Sequence, residues 1–209
     1  MSDAVLVFVR APQAGRVKTR LAAGIGAPAA LRVYVRLAEH ALAQARASGA
    51  AVRVHFTPAD AGEAVRAWLG PGAAYLPQAE GDLGERMRGA FDAAFAAGFR
   101  RVVIIGSDLP DLSAELLGRA FALLDGNEAV LGPARDGGYY LLGLRRPTPE
   151  VFEGIAWSTG EVLAATVARL REMGIEPALL ETLADLDEAA DLPPGWREWA
   201  VAEDEPRPE

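Results

Sequence analysis

Cysteine is absent from all 209 residues. That excludes a disulfide framework, thiolate zinc sites and a cysteine nucleophile, and it suits a reducing cytosol. Histidine is nearly absent as well. His40 and His55 are the only two, which excludes a histidine-rich metal centre. His40 falls inside a helical run and His55 inside a strand, so both read as packing residues. Positive charge is in deficit: 21 Lys plus Arg face 29 Asp plus Glu, for a formal charge of −8. A sequence-independent nucleic-acid binder is therefore not expected. No apolar run approaches the roughly 20 residues of a membrane span, and Met-Ser-Asp-Ala before a strand lacks the regions of a signal peptide. These absences predict a cytoplasmic protein with neither nucleic acid nor membrane as partner. The sequence sets no oligomeric state.

What is present alternates. Strands are predicted over Val5–Arg10, Ala51–Thr57, Ala73–Pro77, Arg101–Gly106, Glu128–Gly132, Tyr139–Leu144 and Glu176–Leu180. Helices are predicted over Pro28–Ser48, Ala61–Leu69, Leu83–Ala97, Ala114–Leu124 and Gly160–Met173. Pro28 suits a first helical turn and Gly49 a stop. The alternation implies an open, mostly parallel sheet with helices on both faces. It breaks at Gly132–Gly138, which joins two strands with no helix between them, so one antiparallel member is expected. The chain reads as one domain over 1–209, with a charged, proline-rich flexible tail at 202–209.

Chemistry is most concentrated after the fourth strand, in Gly106-Ser-Asp-Leu-Pro-Asp-Leu112. Asp108 falls just past the strand's carboxyl end, where doubly wound sheets bind ligands. A carboxylate there suits a divalent cation bridging a nucleotide diphosphate. The competing reading is an acid that closes a βα loop, ahead of a helix capped by Ser113.

Four other segments join it. In Arg10–Leu21, Gly15 lies next to three cations at the end of the first strand, as in an anion-binding loop, with Lys18 and Arg20 neutralising phosphate. It is not a Walker loop, because Val17 stands where that pattern needs glycine. In Gln78–Met87, Gln78 offers a donor and an acceptor to a base edge, and Gly81 and Gly84 keep the helix entrance open to a flat ligand. The same stretch also reads as a capping box of Asp82 and Glu85. Asp136-Gly137-Gly138 reads as a sugar contact or as an Asp-Gly turn. In Trp157-Ser-Thr159 the indole can stack on a sugar, or Ser158 or Thr159 can cap the next helix. The alternating acids of Leu183–Leu192 offer Asp187 as a second metal ligand, or serve as charges at a helix start.

Taken in order, the segments Ala11–Leu21, Gly81–Met87, Gly106–Leu112, Gly132–Gly143, Trp157–Thr159 and Asp185–Asp187 resemble a family. It comprises glycosyltransferases found beside radical-SAM and selenium-related domains, some assigned to arsenosugar biosynthesis. They belong to the nucleotide-diphospho-sugar transferase superfamily, with the GT-A fold. The resemblance spans Val5 to Leu192. The loop Gly15–Leu21 is also similar to the phosphate loop of 2-phospholactate guanylyltransferases, and Gln78–Gly84 to the base loop of sugar-nucleotide pyrophosphorylases. One departure is that Ser107-Asp108-Leu109 is not a strict Asp-x-Asp.

The resemblance implies a GT-A-like α/β fold and a divalent cation, Mg²⁺ or Mn²⁺, at Asp108, with Asp187 of the alternating acids as the candidate second ligand. It implies nucleotide and phosphate contacts at Gly15, Lys18, Arg20, Gln78, Gly84, Arg86 and Ser107. Sugar or acceptor contacts would fall at Asp136, Gly137, Gly138, Trp157 and Thr159, and the catalytic set would be Asp108, Asp136 and Lys18. The expected activity is transfer of a sugar from a nucleotide-diphospho-sugar to a small-molecule acceptor. The first alternative is a nucleotidyltransferase joining an NTP to a phosphorylated acceptor and releasing pyrophosphate. The second is a nucleotide-binding domain without catalysis.

Overall fold

A computed structural model describes residues 2–202. The chain runs β1 (Asp3–Arg10), α1 (Thr19–Ile25), α2 (Ala27–Ala47), β2 (Ala51–Thr57), α3 (Gly62–Leu69), β3 (Ala74–Pro77) and α4 (Leu83–Ala96). It continues through β4 (Arg101–Ile105), α5 (Ala114–Gly126), β5 (Ala129–Pro133), β6 (Tyr139–Leu144), α6 (Val162–Glu172), β7 (Ala178–Leu179) and α7 (Trp196–Ala202). The expected tail over 202–209 lies outside the described residues, except for Ala202, which ends α7.

The seven strands form one sheet in the order β3-β2-β1-β4-β6-β5-β7. All neighbours are parallel except β6, which runs antiparallel to both β4 and β5. This is the expected mixed, mostly parallel sheet of the nucleotide-diphospho-sugar transferase fold. Successive side chains of a strand point to opposite faces, and β1 shows the result. Val5, Val7 and Val9 enter one apolar layer with residues of α2, α3 and α5. Ala4 and Leu6 enter the other, with residues of α4 and α6. Both faces are covered, which is why the central strands are apolar throughout rather than alternating.

Local signals place the helices. Pro28 lies in the first turn of α2, and Gly49 follows its end at φ 78°. Asp82 and Glu85 form the reciprocal capping box of α4, so the competing reading of that segment holds. Ser113 caps α5 by accepting from the Leu116 N–H at 3.1 Å. Neither Ser158 nor Thr159 caps α6, whose N-cap is Glu161. Two helices are additions to the expected set. The N-cap of α1 is Lys18, which makes no side-chain cap bond, and α7 is held by packing rather than pattern. There, Trp196 and Trp199 meet edge to face with the Arg36 guanidinium over both rings.

Both histidines are packing residues. His40 Nε2 lies 2.8 Å from the Leu112 carbonyl. His55 is buried, and its Nε2 has no hydrogen-bond partner among the described residues. Burial, with the Arg53 charge adding to it, holds His55 down at about 4 against an ordinary 6.5. The folded state therefore binds its proton later than the unfolded state as pH falls. Above pH 6.5 the residue is neutral in both states. Between pH 6.5 and 4 the unfolded chain takes up the proton first, and stability falls by up to about 3 kcal/mol. Urea midpoints at pH 7 and pH 4.5 should thus differ more for wild type than for His55→Leu. Equal differences would remove His55 as the source.

Candidate active site

The carboxyl edge of the sheet gathers every segment singled out for Asp108's neighbourhood. β1 connects leftward to β2, whereas β4 sends its chain to the other side through α5 and β5. The loops after β1 and β4 therefore part from each other, making the crevice that open α/β sheets use for ligands. The β5–β6 turn and the segment after β7 reach the same edge. Leu183 N–H bonds the Pro133 carbonyl at 3.1 Å, and Leu186 N–H bonds the Asp108 carbonyl at 3.0 Å. These bonds bring residues 185–187 against the loop after β4.

Lys18 sits at the centre. Its Nζ lies 2.6 Å from Asp108 Oδ1 and 3.1 Å from Asp187 Oδ1, and it donates to the Leu186 carbonyl at 2.6 Å. Only 4% of its side chain is exposed, against 43% for Asp108 and 30% for Asp187. The ammonium expected to neutralise phosphate is here paired with these two carboxylates. A left-handed backbone at φ 48° and ψ 48° accompanies the inward turn. Arg20 keeps an exposed side chain and pairs with Asp187 Oδ2 at 2.5 Å.

Two hollows flank this cluster and share Arg20. The first, about 310 Å³, is walled by Arg10, Arg16, Arg20 and Thr19 opposite Ser107 and Asp108. Tyr34 fixes its base, donating to the Arg10 carbonyl and accepting from the Arg10 N–H, both at 2.7 Å. Burial pushes the Tyr34 hydroxyl up to about 12, so it stays a donor at neutral pH. Its exposed arginines beside a hydroxyl and helix start suit a polyphosphate, because guanidinium–phosphate hydrogen bonds are charge-assisted. The second hollow, about 530 Å³, has apolar walls from Phe8, Met87, Tyr139 and Trp157, with Asp136 and Asp185 as its acids.

Of the expected site residues, Lys18, Arg20, Ser107, Asp108 and Asp187 meet at the first hollow. Asp136, Gly138, Trp157 and Thr159 meet at the second. Asp136 Oδ1 accepts from the Gly138 N–H at 2.9 Å, so the Asp-Gly turn reading holds beside the position at the hollow. Gly137, at φ 89°, is packed against Gly160. Gly15 adopts φ 76° in the β1–α1 loop but does not line either hollow.

In the expected base loop the polar side chains bond within the protein. Gln78 Nε2 is spent on the His55 and Val9 carbonyls at 3.0 and 3.4 Å, and Arg86 Nε donates to the Gly81 carbonyl at 2.9 Å. The flat group against Gly84 is the indole of Trp157. A Cβ at Gly84 would stand 2.4–2.6 Å from that ring, so glycine there makes room for the indole that walls the second hollow.

Sequence reasoning missed three residues. Arg10 and Arg16 line the phosphate-sized hollow, and their signal was position in the same basic loop. Asp185 lies between the acids. Burial, then the neighbouring Asp136, Asp108 and Asp187 carboxylates, push it up to about 7. Alternation with Asp187 was its one sequence signal, and nothing in that pattern separates the two acids.

Comparisons with known proteins place the chain in a family. A family model described as an uncharacterized protein conserved in bacteria (DUF2064) matches residues 40–159. A phosphoenolpyruvate guanylyltransferase of Chloroflexus aggregans (strain MD-66 / DSM 9485) is 33% identical over 196 residues, covering 89% of this chain and 92% of that protein. A crystal structure from Desulfovibrio desulfuricans G20, provisionally named a nucleotide-diphospho-sugar transferase, is 36% identical with a TM-score of 0.87. The match covers 97% of this chain and 94% of that one. A CMP:2-keto-3-deoxy-manno-octonic acid synthetase complexed with CTP shares the fold at a TM-score of 0.56 and 16% identity, covering 97% of this chain and 100% of that one. These matches carry the superfamily and not the narrower association with radical-SAM domains. On the family match and the two close relatives, the chain belongs to the DUF2064 family, within the nucleotide-diphospho-sugar transferase superfamily.

Proposed function

We propose that this protein is a nucleotidyltransferase that joins a nucleoside triphosphate to a small phosphorylated acceptor and releases pyrophosphate. The observation that carries this reading is the arginine-lined hollow of about 310 Å³ facing Asp108 and Asp187. The relative of Chloroflexus aggregans named as a guanylyltransferase supports it. Sugar transfer, the activity first expected, has in its favour the provisional name of the Desulfovibrio relative.

Among the described residues no three acidic or imidazole groups stand together as a metal cage. A magnesium-type ion does not need one, since it commonly takes one or two carboxylates and completes its shell with substrate phosphates and water. Lys18 Nζ already marks a cation position between Asp108 and Asp187, so those two carboxylates fit the group and would hold it. Bound there, a divalent cation would neutralise charge that builds on the leaving pyrophosphate.

The chain's own groups do the rest. Arg10, Arg16 and Arg20 grip the triphosphate and turn its α-phosphorus toward the second hollow. The acceptor sits there against Trp157 and Tyr139, its phosphate oxygen in line with the α-phosphorus. That oxygen forms the new P–O bond as the bond from the α-phosphorus to the bridging oxygen breaks, and pyrophosphate leaves with the electron pair. Positioning and electrostatics supply the rate in such transfers.

The test is product analysis with GTP, CTP, ATP and UTP against phosphoenolpyruvate and other small phosphorylated acids, with Mg²⁺ or Mn²⁺. Pyrophosphate release that needs both an NTP and an acceptor is expected. Release of a nucleoside diphosphate from a nucleotide sugar, with no pyrophosphate from any NTP, would replace this reading with sugar transfer.

A further inference from the structure

Lys18 is the one lysine in the chain; the other 20 basic side chains are arginines. A lysine ammonium is a compact point charge with three donors, whereas guanidinium is a planar fork. The three donors of Lys18 meet three acceptors: Asp108 Oδ1, Asp187 Oδ1 and the Leu186 carbonyl, at 2.6, 3.1 and 2.6 Å. Its left-handed backbone is uncommon for a residue with a side chain and persists where surroundings determine it. Here it accompanies the contacts with those three oxygens.

We propose that the Lys18 ammonium is an exchangeable counter-cation, holding the position between Asp108 and Asp187 until a divalent cation takes it. This rests on the metal assignment above, not on which group is transferred. A magnesium-type ion binds carboxylate oxygens at about 2.0–2.1 Å, closer than the ammonium does, and the two cations cannot share that space. Lys18 must therefore leave as the ion enters. Alone, that exchange strands a buried ammonium without its partners. With a nucleotide present, the first hollow holds phosphate oxygens within reach of the same flexible four-carbon stem, and the displaced charge finds new acceptors. Metal and nucleotide thus bind cooperatively, and the metal-free site stays neutralised without either.

The experiment uses Mn²⁺, followed by the loss of its free-ion paramagnetic resonance signal, with wild type and Lys18→Met in the absence of nucleotide. Removing the competing charge is expected to tighten Mn²⁺ by about tenfold or more, within the usual range of coupling between sites. A metal site that merely leaned on Lys18 for structure would weaken instead. Equal or weaker Mn²⁺ binding by a folded variant overturns the inference while leaving the metal assignment intact. Absence of Mn²⁺ binding by both proteins, with and without GTP, overturns both. The wild type gives an independent reading should the variant not fold. Acetylation of Lys18 by an amine-reactive ester, followed by peptide mass spectrometry, is expected to speed up several-fold at saturating Mn²⁺. An unchanged rate at demonstrated Mn²⁺ saturation overturns the proposal.

Discussion

Asp108→Asn is expected to lower kcat/KM for pyrophosphate release by about 10³-fold, the upper range for losing one focused electrostatic contact in a transition state. The melting temperature should stay near wild type. Asn keeps the shape of Asp, its side-chain carbonyl can still accept from Lys18 Nζ, and the position is 43% exposed. The Asp108 backbone carbonyl that anchors Leu186 is untouched. Loss of activity with unchanged melting separates a role in chemistry from a role as loop closure. Turnover within a few-fold of wild type would return Asp108 to the loop-closing reading.

Gly137→Ala should be the most damaging single methyl in the molecule. Gly137 has φ 89°, and a Cβ there would stand 2.0 Å from the Gly160 carbonyl oxygen and 2.6 Å from its carbon. Both are backbone atoms and cannot rotate aside. The Gly137 carbonyl also accepts from the Leu163 N–H at 2.9 Å in the first turn of α6, so retreat of the turn breaks that bond. Left-handed strain plus the clash should cost about 3 kcal/mol or more, lowering Tm by roughly 10 °C for a chain of this size. Gly174→Ala is the control. It has φ 74° and nothing within 4 Å of the added methyl, so it carries the strain alone, about 1 kcal/mol. If the two variants melt together, the packing of the β5–β6 turn against Gly160 is not what the glycine protects.

The strands were legible because burial on both faces writes a continuous apolar run, as in Val102 to Ile105, and the antiparallel β6 because no helix separates it from β5. Asp108 was legible from its place past a strand end. The short helix α1 was not: it buries only Leu21 and starts at an uncapped, left-handed lysine. Nor was α7, whose support comes from Arg36 on a distant helix. The surroundings of the base loop were not legible for a related reason. The glycine at position 84 signals close approach by something flat, and sequence cannot say whether that is a nucleobase or Trp157, far along the chain. The inward turn of Lys18 depends on acids in two other segments, which only the folded sheet edge brings together.

The bond from Lys18 to the Leu186 carbonyl joins residues separated by 168 positions, and Leu186 itself is buried with Leu21, Val33, Leu37 and Ala200. During synthesis from the N-terminus the basic loop is made first, Asp108 follows, and Asp187 arrives only 169 positions after Lys18. Contacts of such long sequence separation close late, after the entropy of the intervening loop has been overcome. A ribosome-bound intermediate can therefore form the first parallel strands and still possess no cation position at all. The position between Asp108 and Asp187 is thus completed only when the segment carrying Asp187 joins the sheet edge.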